Sequence, residues 1–159
     1  LKTYIERNPY SEIAWHQCGR LYYGVKDYEN AVRSFEFATY IDEEFVGAFM
    51  ENGKALERLK RYEEAIESYD KTIELDDPTS YALLRIGKCH ERLGNTALAI
   101  KYYNQTVHED PLLDKGWIAI TDFYVRENRP RQCLFWAHNE RIIWRGSDSP
   151  TWVLQSVSR

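Results

Sequence analysis

Cysteine is scarce in this chain, at three residues, and no two stand at the spacing of a zinc site or a redox pair. Cys18, Cys89 and Cys133 fall instead where small or apolar residues are expected on a helix, so burial is the plainer role for each. Free thiols point only weakly to a reducing compartment such as the cytoplasm, because buried ones survive elsewhere. His16, His90, His108 and His138 never pair at the i, i+4 spacing of a helical metal site, and the chain has no Gly-rich phosphate loop or nucleophile elbow. Glu43-Glu44 and Glu63-Glu64 are neighbours in sequence, so on a helix they diverge rather than forming a carboxylate dyad. Neither an enzyme nor a bound cofactor or metal is expected.

Long apolar runs are also missing. Without 18 consecutive apolar residues the sequence holds no candidate membrane span. A basic excess is absent too: a net charge of −4 and a pI near 5.6 argue against a nucleic-acid binder that works through a general basic surface. What remains is ample for a core, since 43% of the 159 residues are hydrophobic and 14% aromatic, and the length suits one domain.

The chain is organised around residues 48–78, which read as a complete helical hairpin. Phe49, Gly53 and Leu56 lie at i, i+4 and i+7, and Ala65, Tyr69 and Thr72 repeat that stripe after a short polar break. A shift of 34 residues backward lands on Trp15, Gly19 and Tyr22, then Ala31, Phe35 and Ala38. A shift forward lands on Leu83, Gly87 and His90, then Ala99, Tyr103 and Thr106. A further shift gives Trp117, Thr121 and Tyr124, then Cys133, Ala137 and Glu140, where the pattern decays. Small residues recur in register at Ala14, Ala48, Ala82 and Gly116, at Gly19, Gly53 and Gly87, and at Ala31, Ala65 and Ala99. Such columns let another backbone approach closely.

With its Trp, Gly, Tyr, Ala, aromatic and Pro positions on a 34-residue period, the chain resembles the tetratricopeptide repeat family. The matching residues are Trp15, Gly19, Tyr22, Ala31, Phe35 and Ala38 in the first copy and Gly87, Ala99, Tyr103 and Pro111 in the third. The resemblance implies an all-α fold, a right-handed superhelix or α-solenoid of antiparallel helix pairs, with the first helix of each pair lining a concave surface. Residues 1–10 match the end of a preceding repeat helix, as in a piece of a longer array. Repeat one spans 11–44, repeat two 45–78 and repeat three 79–113. A degenerate fourth spans 114–147, and 148–159 begins a terminal helix at Ser149-Pro150. Trp136, Trp144 and Trp152 crowd that end, which reads either as a polar cap or as an interrupted array.

Within the repeats, helix A of the first runs from Glu12 to Tyr23, and Asp27 is placed to cap a helix B ending at Ile41. The turn at Leu59-Lys60-Arg61 carries no breaker and is read from the period alone, whereas Gly94-Asn95 supplies one. Asn104-Gln105-Thr106 has the letters of a glycosylation triplet but falls mid-helix, with Thr106 in a packing column.

If the A helices line the concave face, one inward column is His16, Met50, Leu84 and Ile118, apolar apart from the histidine. Beside it run Arg20, Lys54, Lys88 and Asp122, then Arg58, Arg92 and Arg126, with Arg85 and Lys115 adding to the positive charge and Glu51, Glu57 and Glu91 opposing it. This face is more basic than the acidic whole. It suits a protein or peptide partner with an acidic segment, whose side chains pack on the apolar column while Lys and Arg hold carboxylates. A solvated face laced by the pairs Glu57 with Arg61 and Arg58 with Tyr62 is the bland counterpart. A structural spacer, or self-association through the terminal helices, is the alternative function. Some members of the family clamp the acidic tails of chaperones with Lys, Asn, Asn, Lys and Arg. The matching positions here are His16, Arg20, Glu51, Tyr81 and Arg85, of which only Arg85 agrees, so that specificity is not implied.

The aromatic column of the second helices should be interhelix knobs. Tyr69→Ala is therefore expected to cost about 3–5 kcal/mol in urea denaturation, and a loss below about 1 kcal/mol would contradict the placement.

Overall fold

The computed structural model describes residues 9–76 and 79–127, and its chain divides into two compact units, Leu1–Ile120 and Thr121–Arg159. The described residues form seven helices and no strand: α1 (Glu12–Gly24), α2 (Tyr28–Ile41), α3 (Val46–Arg58), α4 (Tyr62–Leu75), α5 (Ser80–Arg92), α6 (Thr96–Glu109) and α7 (Asp114–Arg126). Helix α7 begins in the first unit and ends in the second. Sequence expectations for Cys133, His138, the three C-terminal tryptophans, the second helix of repeat four, the terminal helix and residues 1–8 lie outside the described residues.

Three of the described helices start at a side-chain cap, whereas Phe45, Arg61 and Asn95 precede α3, α4 and α6 without a capping hydrogen bond from the side chain. Ser11 and Thr79 accept hydrogen bonds from the backbone N–H groups of Ala14 and Ala82, both at 3.3 Å, and Asp27 accepts from Asn30 N–H at the same distance. Inside each hairpin one residue takes a left-handed conformation, Lys26 at φ 64°, Lys60 at φ 63° and Gly94 at φ 79°, again 34 apart. The next N–H then reaches back to close the helix end, Asp27 to Tyr22 O at 2.9 Å, Arg61 to Leu56 O at 3.0 Å and Asn95 to His90 O at 2.9 Å. The turn at Lys60 thus has the geometry of the glycine turn without the glycine.

Packing in the first unit runs between consecutive helices, α1 on α2 through α5 on α6, with α1 also touching α3. The tightest fit is at the repeated glycines. A Cβ on Gly19 would lie 2.5 Å from the Phe35 ring, one on Gly53 2.6 Å from the Tyr69 ring, and one on Gly87 2.7 Å from the Tyr103 ring. The small column therefore admits an aromatic ring, where the sequence suggested a second backbone. Phe35, Tyr69 and Tyr103 are correspondingly buried, at 1%, 0% and 0% exposure. Ala31, Ala65 and Ala99 are buried beside them, and Phe35 and Tyr69 join Val32, Leu56, Ile86 and Cys89 in the central cluster.

Two expected core residues are wetter than their columns imply. Tyr22 is 37% exposed, and His90 is half-buried, stacked on Tyr102 with ring centroids 5.4 Å apart. Cys89 is buried, and desolvation pushes its thiol up to about 12, so it stays protonated, whereas Cys18 is only half-buried. Thr106 is fully buried in α6, its hydroxyl donating to Tyr102 O at 2.9 Å, as its packing column implies. Trp15 and Trp117 lie against the loop before their own helix, each indole N–H donating to a proline carbonyl, Pro9 at 2.8 Å and Pro111 at 2.9 Å.

The ring contacts generate a paired test. Gly53→Ala is expected to destabilise by about 1–3 kcal/mol, because the buried ring has no free space to yield. Gly24→Ala meets nothing within 4 Å and should be neutral or stabilising by up to about 1 kcal/mol. Equal chemical-denaturation midpoints for the two variants would refute the role of the ring.

Candidate functional site

The first helices of successive pairs, α1, α3 and α5, carry the candidate residues and bring them together across two seams. In the first seam Glu51 of α3 faces α1, with its carboxylate 3.1 Å from His16 Nε2 and 3.8 Å from Arg20 Nε. His16 also lies against aromatic rings, Phe45 at 4.9 Å and Phe35 at 5.8 Å between centroids. In the second seam Arg85 Nε of α5 lies 2.8 Å from the Glu57 carboxylate of α3 as an ion pair and donates to the Tyr69 hydroxyl at 3.4 Å, and Glu57 accepts from that hydroxyl at 2.6 Å. Desolvation, then the Glu57 carboxylate, raises the Tyr69 hydroxyl well above its usual range, so it remains a donor. Tyr103 repeats this arrangement with Glu91 at 2.5 Å. In the first repeat both partners change together, to Phe35 and Tyr23, so no buried carboxylate is left without its donor.

These contacts redistribute the charges the sequence suggested. Glu57 pairs with Arg85 and Tyr69 of neighbouring helices and not with Arg61, which the turn after α3 carries off the helical spacing and which instead binds Glu64 and faces Glu29 at 3.7 Å. Arg58 likewise reaches past Tyr62 to donate to the Tyr28 hydroxyl at 3.3 Å, its guanidinium 5.5 Å from that ring. Lys54 and Arg85 flank the Tyr81 ring at 5.3 and 5.8 Å. Lys54, half-buried Lys88 and exposed Arg92 form no ion pair among the described residues.

The apolar column needs one correction. Leu84, expected on a partly wet surface, is 1% exposed, and Met50 packs against the central cluster, because this column turns into the seams between the A helices. Leu84 therefore has no surface to offer a ligand. Ile118 is 57% exposed. Arg126 belongs to the second unit, where its Nε donates to Asp122 O at 3.2 Å.

Sequence reasoning missed the cavity between α1 and α3, about 280 Å³ and lined by Arg20, Tyr23, Gly24, Phe35, Glu51 and Lys54. Phe35 sits on a second helix, so no reading confined to first-helix columns finds it. Among the described residues no His, Cys, Asp and Glu group could hold a metal ion, and no helix is long and apolar enough to cross a membrane.

Stacked helix pairs with polar and charged first-helix faces define a repeat scaffold for protein interaction. A tetratricopeptide repeat family model matches residues 19–79 and, in an overlapping register, 50–113; the chain belongs to the tetratricopeptide repeat family. No curated protein matches it significantly. Among solved structures it is similar to a crystal structure of MamA, with a TM-score of 0.79 and 18% identity over 85% of this chain and 79% of that one. YrrB, described as a repeat protein with an unusual peptide-binding site, gives 0.70 and 18% over 84% and 69%. The first repeat domain of Spaghetti (RPAP3), bound to an HSP90 peptide, gives 0.68 and 16% over 74% and 93%. At these identities the likeness establishes the α-solenoid fold.

His90, half-buried and near the charge of Asp70, supplies a pH test. Burial, partly offset by Asp70, holds His90 below its usual 6.5, so the ring is neutral at pH 7. The unfolded chain takes up the proton first, so this contribution to stability is present above 6.5 and is lost as pH falls through the lower folded value. The stability difference between the parent and His90→Gln should therefore shrink between pH 7.5 and about 5.5. A pH-independent difference in urea melts would refute the assignment.

Proposed function

We propose that the face built by α1, α3 and α5 is a groove for an extended peptide segment carrying acidic residues. The observation that supports this reading is the set of cations left over after internal pairing. Arg85 is committed to Glu57, and His16 and Arg20 share Glu51, but Lys54, Lys88 and Arg92 form no ion pair among the described residues. Lys54 and Arg85 also flank Tyr81, whose ring offers a ligand side chain a flat apolar contact beside positive charge. Arg58 and, beyond the seams, Ile118 extend the proposed surface, from which Leu84 is withdrawn; Arg126 belongs to the second unit and is not assigned to it. That peptide recognition occurs in YrrB and in the Spaghetti domain is consistent with such a use of the fold.

Several rim cations acting together give selectivity for charge and a salt-sensitive affinity rather than great strength. The double variant Lys54→Glu/Lys88→Glu is expected to weaken capture of acidic peptides by about tenfold or more with helicity unchanged, as read by a peptide array and circular dichroism. Equal binding by both proteins would end the electrostatic reading. No capture by either would favour a spacer or self-associating element, a reading to which exposed Phe37 and Tyr40, at 52% and 84%, lend some surface.

A further inference from the structure

The cavity between α1 and α3 has room for about one side chain and two kinds of wall. Tyr23, Phe35 and Gly24 give it an apolar side, and Arg20, Lys54 and Glu51 a charged one. Counted as formal charges, that rim is positive and would receive a carboxylate. The geometry points the other way. Glu51 already holds the α1 side, 3.1 Å from His16 Nε2 and 3.8 Å from Arg20 Nε. Its Oε2 and the His16 Nε2 are both buried, and although they lie within ion-pair distance neither completes a hydrogen bond. The anion is thus carried into the recess with only partial compensation.

We propose that this cavity is a side-chain pocket for an uncharged residue of the bound peptide, with Glu51 excluding carboxylates and directing the acidic residues to Lys54, Lys88 and Arg92. The proposal rests on the peptide-groove reading above. A ligand carboxylate entering here would compete with Glu51 for Arg20 and meet a like charge in a recess, where screening is weaker than on the open surface. An amide tip suffers neither penalty. It can donate to Glu51 and accept from Arg20 or Lys54 while its stem lies on Phe35 and Tyr23. Glu51 therefore acts by repulsion, the component of specificity that a list of attractive contacts leaves out.

The test scans an acidic peptide one position at a time with Gln, Leu and Glu and measures binding to the parent chain and to Glu51→Gln by fluorescence anisotropy. In the parent, one position should prefer Gln to Glu by about tenfold, the effect of a like-charge clash. In Glu51→Gln that preference should vanish or invert at the same position, with the others unchanged. Glu51→Ala, which removes the anion without an amide in its place, should lose the discrimination too. Gain of acidic-peptide capture by Glu51→Gln alone would likewise support the role of Glu51. Identical position profiles in parent and variants would overturn the pocket assignment while leaving the groove intact. No capture by any of the three would overturn the groove reading itself.

Discussion

An aromatic ring seated where a glycine has no Cβ is the contact on which the rest of this chain depends. It occurs three times, Phe35 on Gly19, Tyr69 on Gly53 and Tyr103 on Gly87, and each time it joins the two helices of one pair. A helical hairpin of this size cannot bury its apolar face alone, so each pair also has to meet the next. Buried rings set the distance within a pair, and the alanine columns beside them keep the helices close enough for the pairs to stack.

The same rings reach the candidate face. Tyr69 is packed against Gly53 at its edge, but its hydroxyl emerges beside α3, where it donates to Glu57 and accepts from the guanidinium of Arg85. A residue read as pure core thus fixes one charge of the proposed groove. Because the arrangement recurs with Tyr103 and Glu91 and is replaced as a pair in the first repeat, the electrostatics of the face are built into the repeat unit. Cations that carry the ligand reading are those this wiring leaves over, a smaller set than the sequence columns suggested.

The fold was legible because it is periodic. Glu12, Asp27 and Ile41 mark the ends of the first helix pair as the capping and apolar patterns suggest, and α3 to α6 repeat those ends 34 residues on. The turn at Lys60 was not legible, because a lysine there gives no sign that it adopts φ 63°. The face was legible only in part. Column membership says which side of a helix a residue occupies, and that located Lys54, Lys88 and Arg92. It does not say whether a neighbouring helix covers the residue, which buries Leu84, or which partner a long side chain chooses. Glu57 and Arg58 both pair with other helices because α3 ends at Arg58, so the i, i+4 positions Arg61 and Tyr62 lie in the turn and on α4, a break that local charge spacing does not show.

Gly94 adopts the left-handed turn without steric cost, while Lys26 and Lys60 hold the same conformation against a penalty of about 1 kcal/mol each. In a linear array each hairpin contributes its own intrinsic stability plus the interface with its neighbour. The turn of α5 and α6 therefore closes without that steric strain, though ordering a glycine carries an entropic cost of about 0.5–1 kcal/mol, and the two turns before it hold their strain by packing. Equal repeat length conceals two ways of meeting the cost of one turn, strain at a lysine and lost freedom at a glycine.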